Sequence, residues 1–276
     1  MSRHWFLTGA SSGIGRHLAE IILASGDDLT ATVRRPETLD DLAARYGEQL
    51  VVERLDVTVK GDIAPVVQRA EARRPVDVLV NNAGGGIIGA TEEFSDADIE
   101  GQISLNLLAP VHVTRAFIPA MRTRRAGRII QISSASGQGS LPTSSLYHAA
   151  KWGLEGFSEC LRQELEGFGV FVTLIEPGGA RTSFSRNLQY APANPAYQDT
   201  PAGQIRAMFE NAGDELYTLD PQKIAHRIFD TATSEKPPLR VALGGDAFGV
   251  IQAALKGRLS ALEAQESLAR SVAFDS

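Results

Sequence analysis

The stretch Thr8-Gly9-Ala10-Ser11-Ser12-Gly13-Ile14-Gly15-Arg16 follows a short apolar run and opens a helical pattern. Its three glycines allow a tight backbone turn, close approach to a pyrophosphate, and packing of the helix against the strand. The N–H groups at the start of such a helix attract phosphates. The spacing is G-x-x-x-G-x-G instead of the commoner G-x-G-x-x-G, so a dinucleotide site is favoured by the position of the glycines between strand and helix.

Short apolar runs alternate with helical patterns on both sides of this turn. The predicted strands are Trp5–Thr8, Leu29–Val33, Leu50–Asp56, Val76–Asn81, Arg128–Ser133, Phe171–Glu176 and Leu239–Leu243. The predicted helices are Gly15–Ser25, Glu37–Tyr46, Ile63–Arg74, Asp96–Met121, Ser145–Phe168, Ala202–Ala212, Asp220–Thr233 and Phe248–Ala269. This alternation predicts an α/β fold, a doubly wound parallel sheet with helices on both faces. No internal repeat or low-complexity linker divides residues 1–276, which we expect to form a single domain.

A pair of reactive side chains stands at the start of the Ser145–Phe168 helix. Tyr147 and Lys151 are four residues apart and therefore share one helix face. A lysine cation close to a tyrosine is expected to lower the phenol's pKa from about 10, which suits proton exchange with a carbonyl or an alcohol. Ser134 stands at the end of the preceding strand-like run, directly after Ser133, where its hydroxyl can hold the same substrate oxygen. The residues predict a proton-transfer site for a carbonyl/alcohol pair.

The second predicted strand ends in arginines instead of the acid that usually binds the ribose of NAD. Arg34, helped by Arg16 or Arg35, is suited to a 2′-phosphate because guanidinium groups bind phosphates in a forked geometry. This pattern favours NADP(H) over NAD(H). The alternative is that the arginines are simply solvated at the end of a strand.

Polar residues also follow the third and fourth predicted strands. The carboxylate of Asp56, next to Val57, can receive an adenine amino group, or it can cap the following helix. Asn81-Asn82-Ala83-Gly84 lies at the sheet edge where ligands bind in open α/β folds, and its small residues permit close approach of a ribose. Asn106 is a poor helix former within a predicted helix, so either a buried role or simple exposure is open.

The composition excludes several other classes of function. A net charge of −6 without a basic stripe argues against nucleic-acid binding. Cys160 is the only cysteine and lies in an apolar helical stretch, where we expect a core position. The five histidines show no ligand spacing, so we expect no metal site. No signal peptide is recognisable, and no apolar run approaches the roughly 18 residues of a membrane span. We expect a soluble, cytoplasmic protein.

With Thr-Gly-x-x-x-Gly-x-Gly, Asn-Asn-Ala-Gly, an isolated Asn and Ser…Tyr-x-x-x-Lys in this order, the chain resembles the short-chain dehydrogenase/reductase family over residues 4–185. The resemblance implies a Rossmann-type sheet of about seven strands, a nicotinamide cofactor and a homodimer or homotetramer paired through the helices that start near Asp96 and Ser145. It implies a catalytic tetrad formed by Asn106, Ser134, Tyr147 and Lys151.

The resemblance also implies a role for each member of the tetrad. Tyr147 is the general acid/base and Ser134 steadies the substrate oxygen. Lys151 binds the nicotinamide ribose and lowers the tyrosine pKa, while Asn106 anchors a proton-relay water. Ser133 has the wrong offset from Tyr147 and is expected to be structural.

The segment Pro177-Gly178-Gly179-Ala180-Arg181-Thr182 looks like the family's nicotinamide-contacting turn. The full set of expected cofactor contacts is Gly9, Ser11, Ser12, Gly13, Ile14, Gly15, Arg34, Asp56, Val57, Asn82, Ala83, Gly84, Tyr147, Lys151, Pro177, Gly178, Ala180 and Thr182.

Residues 183–215 are irregular and are expected to form a substrate-binding lid, because long loops of this kind are usually functional. An apolar wall is expected from Leu141, Leu146, Phe184, Leu188 and Tyr190, which favours a neutral, partly apolar small molecule. Residues 246–276 are expected to form a helical extension that borders the pocket or a neighbouring subunit.

The leading hypothesis is an NADP(H)-dependent oxidoreductase that acts on a ketone, an aldehyde or a secondary alcohol. The alternatives are a non-catalytic dinucleotide sensor and a dehalogenase-like enzyme. A sensor has no use for Ser134, Tyr147 and Lys151 together, and a dehalogenase of this fold carries arginine in place of the lysine.

Overall fold

A computed structural model describes residues 2–211 and 213–274, with only the backbone of Asp214. Seven parallel strands form the main sheet, in the order β3-β2-β1-β4-β6-β7-β9. A separate parallel ribbon is formed by β5 and β8. The strands are β1 (His4–Thr8), β2 (Asp28–Val33), β3 (Leu50–Arg54), β4 (Val78–Asn81), β5 (Ile87–Ile88), β6 (Gly127–Ile132), β7 (Val170–Pro177), β8 (Gln189–Tyr190) and β9 (Arg240–Leu243). The predicted fold class is confirmed.

Helices cover the sheet on both faces. They are α1 (Gly13–Ala24), α2 (Asp40–Tyr46), α3 (Lys60–Arg73), α4 (Asp96–Ile103), α5 (Ala109–Arg124), α6 (Ser145–Leu165), α7 (Ser183–Arg186), α8 (Pro201–Glu210), α9 (Pro221–Thr233), α10 (Gly245–Glu263) and α11 (Glu266–Arg270). Successive side chains of a strand point to opposite faces. Trp5 and Leu7 accordingly join the core under α1 and α9, while Phe6 joins the core under α3 and α5.

The order of the strands determines where a ligand can bind. β1 pairs with β2 on one side and with β4 on the other, so the chain connections diverge at the carboxyl end of β1. In doubly wound sheets this divergence opens a crevice where ligands bind. The glycine turn after β1 and the Asn81–Gly84 segment after β4 both lie at this point.

The predicted Asp96–Met121 helix is interrupted by a π-helical turn over Ser104–Leu108, with α4 before it and α5 after it. Pro110 provides a physical reason. It has no N–H to donate to the carbonyl of Asn106, four residues earlier, so the regular hydrogen-bond ladder cannot continue there.

The region expected to be an irregular lid contains regular elements. α7 and β8 precede α8, and β8 pairs with β5 in the loop after β4. The predicted helix that ended at Ala212 ends at Glu210, and Ala212 itself lies outside the described residues.

The predicted C-terminal helix is split into α10 and α11, and the last two residues of the expected 246–276 extension, 275 and 276, are not described. The expectation for Cys160 was wrong, because its side chain is exposed on α6. Across residues 2–211 and 213–274, no helix is long and apolar enough to span a membrane.

Candidate active site

The glycine turn after β1 is packed too closely for side chains. Gly9 and Gly13 have φ values of +71° and +55°, which L-residues rarely adopt. A Cβ on Gly9 would lie 2.9 Å from the Cα of Ala83, and one on Gly15 would lie 2.3 Å from the carbonyl oxygen of Gly9. Backbone atoms cannot yield to such contacts, so only glycine fits at positions 9 and 15.

Asn82 fixes the glycine turn to the segment after β4. Its Nδ2 donates to the carbonyl oxygens of Thr8 and Gly9, each at 3.0 Å. The Thr8 hydroxyl accepts the N–H groups of Asn82 and Ala83 at 3.0 and 3.1 Å. The Asn82 side chain therefore shapes the cradle, and its amide nitrogen is directed at protein carbonyls.

The N-terminus of α1 fits an anionic group. Within the described residues, no side chain caps its N–H groups and no acid stands in its first turn. The uncapped N–H groups and the positive end of the helix dipole favour a phosphate there. Ser12 is the N-cap residue, and its hydroxyl accepts a hydrogen bond at 2.7 Å from Ser183, the first residue of α7.

The arginines near the end of β2 differ in their surroundings. Arg16 is held by Asp41 and by Glu20, which lies at 2.8 Å, and these carboxylates raise its pKa. Arg16 is therefore already occupied, so it is a poor candidate for a phosphate partner. Arg34 and Arg35 are exposed just beyond β2, and no ion pair to Arg34 forms among the residues that the structure describes.

Asp56 lies beyond the end of β3. Its Oδ1 accepts the N–H of Thr58 at 3.0 Å and the hydroxyl of Thr58 at 2.7 Å. These hydrogen bonds and, more weakly, the charge of Arg34 lower its pKa. Val59, not Asp56, is the N-cap of α3. Asp56 thus forms a local turn with a charged carboxylate, which leaves the adenine contact open and does not support the helix-cap alternative.

Tyr147, Lys151 and Ser134 come together at the carboxyl end of β6. The Ser134 hydroxyl lies on the side of Tyr147 where it favours the phenolate. Lys151 is only 5% exposed, donates from Nζ to the carbonyl oxygen of Ile132 at 2.8 Å, and lies 5.6 Å from the centroid of the Tyr147 ring. The backbone N–H of Ser136 donates to Ser134 Oγ at 3.1 Å and orients that hydroxyl.

The pKa of Tyr147 moves in the direction opposite to our expectation. Burial raises it to about 12, because a phenolate is poorly solvated there, and the Ser134 hydroxyl only partly opposes this. Burial also lowers the pKa of Lys151 to about 8, although the Glu155 carboxylate favours the cation. Lys151 is not among the groups that lower the pKa of Tyr147, and its ammonium is engaged with the backbone carbonyl of Ile132.

Asn106 lies in the middle of the π-helical turn and is 1% exposed, so the exposed alternative was wrong. Its Nδ2 donates to the carbonyl oxygens of Gly85 at 3.0 Å and Gln102 at 3.2 Å, and its Oδ1 accepts the N–H of Gly85 at 3.3 Å. Gln102 donates to the same Gly85 carbonyl at 3.1 Å. These bonds tie the loop after β4 to the helix.

The Pro177–Thr182 turn is held in place by hydrogen bonds to α10 and to the end of β9. The N–H of Gly179 donates to Asp246 of α10 at 2.7 Å, and a Cβ on Gly178 would lie 2.1 Å from the same carboxylate. The N–H of Gly178 donates to Leu243 at 3.0 Å. Thr182 packs on Gly13, where an added Cβ would lie 3.2 Å from the threonine Cβ. The turn thus closes over the glycine cradle.

Only part of the predicted apolar wall faces the candidate site. The Phe184 ring lies 5.8 Å from the Tyr147 ring, and a Cβ on Gly86 would lie 2.7 Å from Leu188. Leu146 instead packs against a small core with Ile87 and Ala191. Tyr190 lies beside Arg206, 5.8 Å from its guanidinium carbon.

Sequence reasoning missed several buried polar residues around the site. They are Gln102, Thr114, Gln131, Glu155 and Glu176. Glu155 had a readable signal, since it stands four residues after Lys151 and thus on the same helix face. The others occupy positions that a sequence pattern assigns to the core without revealing their partners.

The sheet order, the glycine cradle at the switch point and the tyrosine–lysine pair define a Rossmann-type dinucleotide-binding fold. The short chain dehydrogenase family matches residues 3–192. A crystal structure of a short-chain dehydrogenase from Streptomyces avermitilis is 37% identical, covers 99% of this chain and 98% of its own, and has a TM-score of 0.91. The chain belongs to the short-chain dehydrogenase family.

Other similar proteins agree with this assignment. The oxidoreductase BOA17 of Botryotinia fuckeliana is 35% identical, over 90% of each chain. A metagenomic short-chain oxidoreductase in complex with NADP is 27% identical, with a TM-score of 0.70, and covers 88% of this chain and 99% of its own. A short chain dehydrogenase/reductase from Burkholderia phymatum in complex with NAD is 23% identical, with a TM-score of 0.79 over 96% of this chain and 95% of its own, and shows likeness of fold alone.

The buried Lys151 predicts a pH-dependent stability. Because its pKa falls from 10.5 unfolded to about 8 folded, the unfolded chain binds more protons in this window, and wild-type stability should rise with pH from 8 to 10.5. Relative to Lys151→Met, the gain should be roughly 1–3 kcal/mol. Urea unfolding at several pH values measures it, with the exposed Lys223→Met as control. A constant difference between wild type and Lys151→Met would contradict the buried charge.

Proposed function

We propose that the protein is an NADP(H)-dependent oxidoreductase that interconverts a ketone or aldehyde with the corresponding alcohol. The observation that carries this proposal is the convergence of Ser134, Tyr147 and Lys151 beside the glycine cradle at the switch point of the sheet. A nicotinamide cofactor, when bound, supplies or accepts the hydride. The chain's own residues bind, orient and exchange the proton.

Tyr147 is the proposed proton donor to the carbonyl oxygen. With its pKa raised to about 12, the phenol is neutral near pH 7 and carries the proton that a reduction requires. Ser134 is proposed to hold the substrate oxygen through the hydroxyl that lies beside Tyr147. Lys151, mostly a cation at neutral pH, stabilises the phenolate that remains after the transfer.

Asn106 is proposed to act through the loop after β4. Its side-chain amide is already bonded to Gly85 and Gln102. In a regular helix its backbone carbonyl would accept the N–H of residue 110, but Pro110 has none. We therefore assign the anchoring of a relay water to the backbone carbonyl of Asn106. In the same proposal, the Pro177–Thr182 turn receives the nicotinamide and the glycine turn receives the diphosphate.

The preference for NADP(H) is proposed from Arg34 and is in keeping with the NADP complex of the metagenomic relative. Arg34 is exposed beyond β2 and, within the described part of the chain, makes no ion pair. A guanidinium in this position suits a 2′-phosphate. Asp56, Val57 and the Asn82–Gly84 segment are proposed to line the adenosine side.

The proposed substrate is a neutral, partly apolar small molecule, because Phe184 and Leu188 lie over Tyr147 and Gly86. Residues 183–215 are proposed as the lid of this pocket. The lone exposed thiol, Cys160, is compatible with the cytoplasmic setting that we propose.

Replacement of Tyr147 tests the proton transfer. Tyr147→Phe removes the hydroxyl alone and should lower the turnover of NADPH with ketones and aldehydes by about 100- to 10,000-fold. Nicotinamide absorbance across a panel of carbonyl compounds measures this, with Tyr46→Phe at the end of α2 as the matched control. Turnover that survives in Tyr147→Phe would contradict the role of Tyr147, and wild-type cofactor binding without any turnover would favour a sensor.

Replacement of Arg34 tests the choice of cofactor. Arg34→Asp removes the cation and offers a carboxylate to the ribose hydroxyls, so the ratio of NADPH to NADH efficiency should fall by about 10- to 100-fold. Arg122→Asp, at the far end of α5, changes the same charge without contacting the proposed site. An unchanged ratio in Arg34→Asp would show that Arg34 is merely solvated.

We also propose that the chain forms a dimer or tetramer through α4 and α6. Exposed apolar side chains lie on and between these helices, namely Ile99, Leu108 and Trp152. Light scattering should give a multiple of the 29.6 kDa chain mass, and Leu108→Glu should shift the population toward the monomer, because a carboxylate is costly to bury in an interface. A monomeric wild type would contradict the assignment.

A further inference from the structure

Two carboxylates are buried directly behind the candidate catalytic residues. Glu155 of α6 is 5% exposed and Glu176 of β7 is 2% exposed. Neither takes part in the proposed proton transfer. Burial of an acidic side chain is costly unless its oxygens are satisfied, so the structure must contain a reason for each.

The first reason is a contact with the strand that displays Ser134. Ser133 donates from its hydroxyl to Glu155 Oε1 at 2.5 Å. One helical turn earlier, Lys151 donates to the carbonyl of Ile132 at 2.8 Å. Because Tyr147, Lys151 and Glu155 are spaced by four residues, they lie along one face of α6. Ile132, the last residue of β6, and Ser133, which follows it, are thus held by two successive turns of α6. Both residues lie immediately before Ser134 in the chain.

The contact between Ser133 and Glu155 is tightly packed. A Cβ on Gly137 would lie 2.8 Å from both the Glu155 Cγ and the Ser133 Oγ. The N–H of Ser133 also donates to Ile175 at 2.8 Å, which fixes its backbone. Ser133 was expected to be structural. Because it is bonded to Glu155 and directly precedes Ser134, a displacement of Glu155 would also displace Ser134.

The second reason concerns charge. Arg240 of β9 donates to Glu155 Oε2 at 2.9 Å and lies 3.7 Å from Glu176 Oε1. Gln138 donates to Glu176 Oε1 at 2.6 Å. The charged groups that surround the pair are Lys151 and Glu159 of α6, Arg240 of β9, and Asp246 and Arg258 of α10. Asp246 accepts the N–H of Gly179, and Arg258 donates to the carbonyl of Gln138.

Burial and the neighbouring Glu155 raise the pKa of Glu176 to about 7. Near neutral pH the pair therefore tends to keep one proton, which avoids two adjacent buried anions. A proton on Glu176 leaves the Glu155 carboxylate to accept from Ser133 and Arg240. Its loss places two negative charges side by side next to the Ser133 contact.

We propose that Glu155 is a positioning residue of the reaction, which sets Ser134 through Ser133, and that Glu176, which shares Arg240 with Glu155, keeps it in place. This inference rests on the proposed function. Small displacements of a catalytic group cost up to about 100-fold in rate, so the contact is expected to act on kcat and to leave cofactor binding nearly unchanged.

Four variants test the proposal with NADPH and the best carbonyl substrate. Ser133→Ala and Glu155→Gln should lower kcat by about 10- to 100-fold and leave the KM for NADPH within about twofold. Glu159→Gln is the matched control, because it also contacts Arg240 but is exposed on the next helical turn, and it should keep the wild-type kcat. If Glu155→Gln does not fold, Ser133→Ala carries the same test.

Glu176→Gln supplies a readout that a purely structural role would not move. Its amide mimics the protonated acid, so the ratio of wild-type to variant kcat should fall as pH rises through 7. The wild-type melting temperature should fall relative to the variant as pH rises from about 4.5 to about 7, because the stabilisation from a raised pKa is present below the unfolded pKa and is lost as the folded protein releases the proton.

The outcomes separate the two proposals. A wild type without turnover overturns the proposed function and this inference with it. An active wild type with unchanged kcat in Ser133→Ala and Glu155→Gln overturns the inference alone. A kcat ratio for Glu176→Gln that is flat across pH 7 overturns the role of the shared proton.

Discussion

A buried ammonium joins the helix of Tyr147 to the strand that leads to Ser134. Lys151 donates to the Ile132 carbonyl at 2.8 Å and is almost fully enclosed, so its charge can be tolerated only because acceptors and a carboxylate surround it. The need for these partners determines where the neighbouring residues must lie. Helix α6 must place Tyr147 one turn before Lys151 and Glu155 one turn after it, and β6 must end where its carbonyl can be reached.

Burial outweighs nearby charge in deciding the protonation states of the site. A count of neighbouring charges suggests a phenol readied for ionisation by a lysine, yet desolvation keeps the phenol neutral and weakens the lysine cation. The same desolvation favours one proton on the Glu155–Glu176 pair. Burial therefore decides which forms dominate near neutral pH, namely a neutral Tyr147, a Lys151 that is mostly a cation, and a glutamate pair that holds one proton.

The sequence predicts the parts of this protein that depend on local pattern. Alternating apolar strands and helices, and glycines that tolerate no Cβ, identify the sheet and the cradle because backbone sterics alone dictate them. The sequence predicts less where contacts between residues far apart in the chain decide the surroundings of a side chain. The ion pair of Arg16 with Asp41 and the exposure of Cys160 depend on how helices pack. The burial of Asn106 and its contact with Gly85 depend on the tertiary fold, and Pro110, four residues later, signals only that the regular helical hydrogen bonds are broken there.

The π-helical turn at Ser104–Leu108 has a consequence for how this chain can vary in length. Such a turn contains one residue more than an α-helical turn, and each residue of a helix advances the direction of its side chain by about 100°. Because the extra residue is taken up within a wider turn, its deletion would change the direction of α4 relative to α5 far less than the rotation caused by a residue lost from a regular helix. The π-helical turn is therefore the point in this helix at which one residue can be gained or lost with the least effect on the faces that α4 and α5 present.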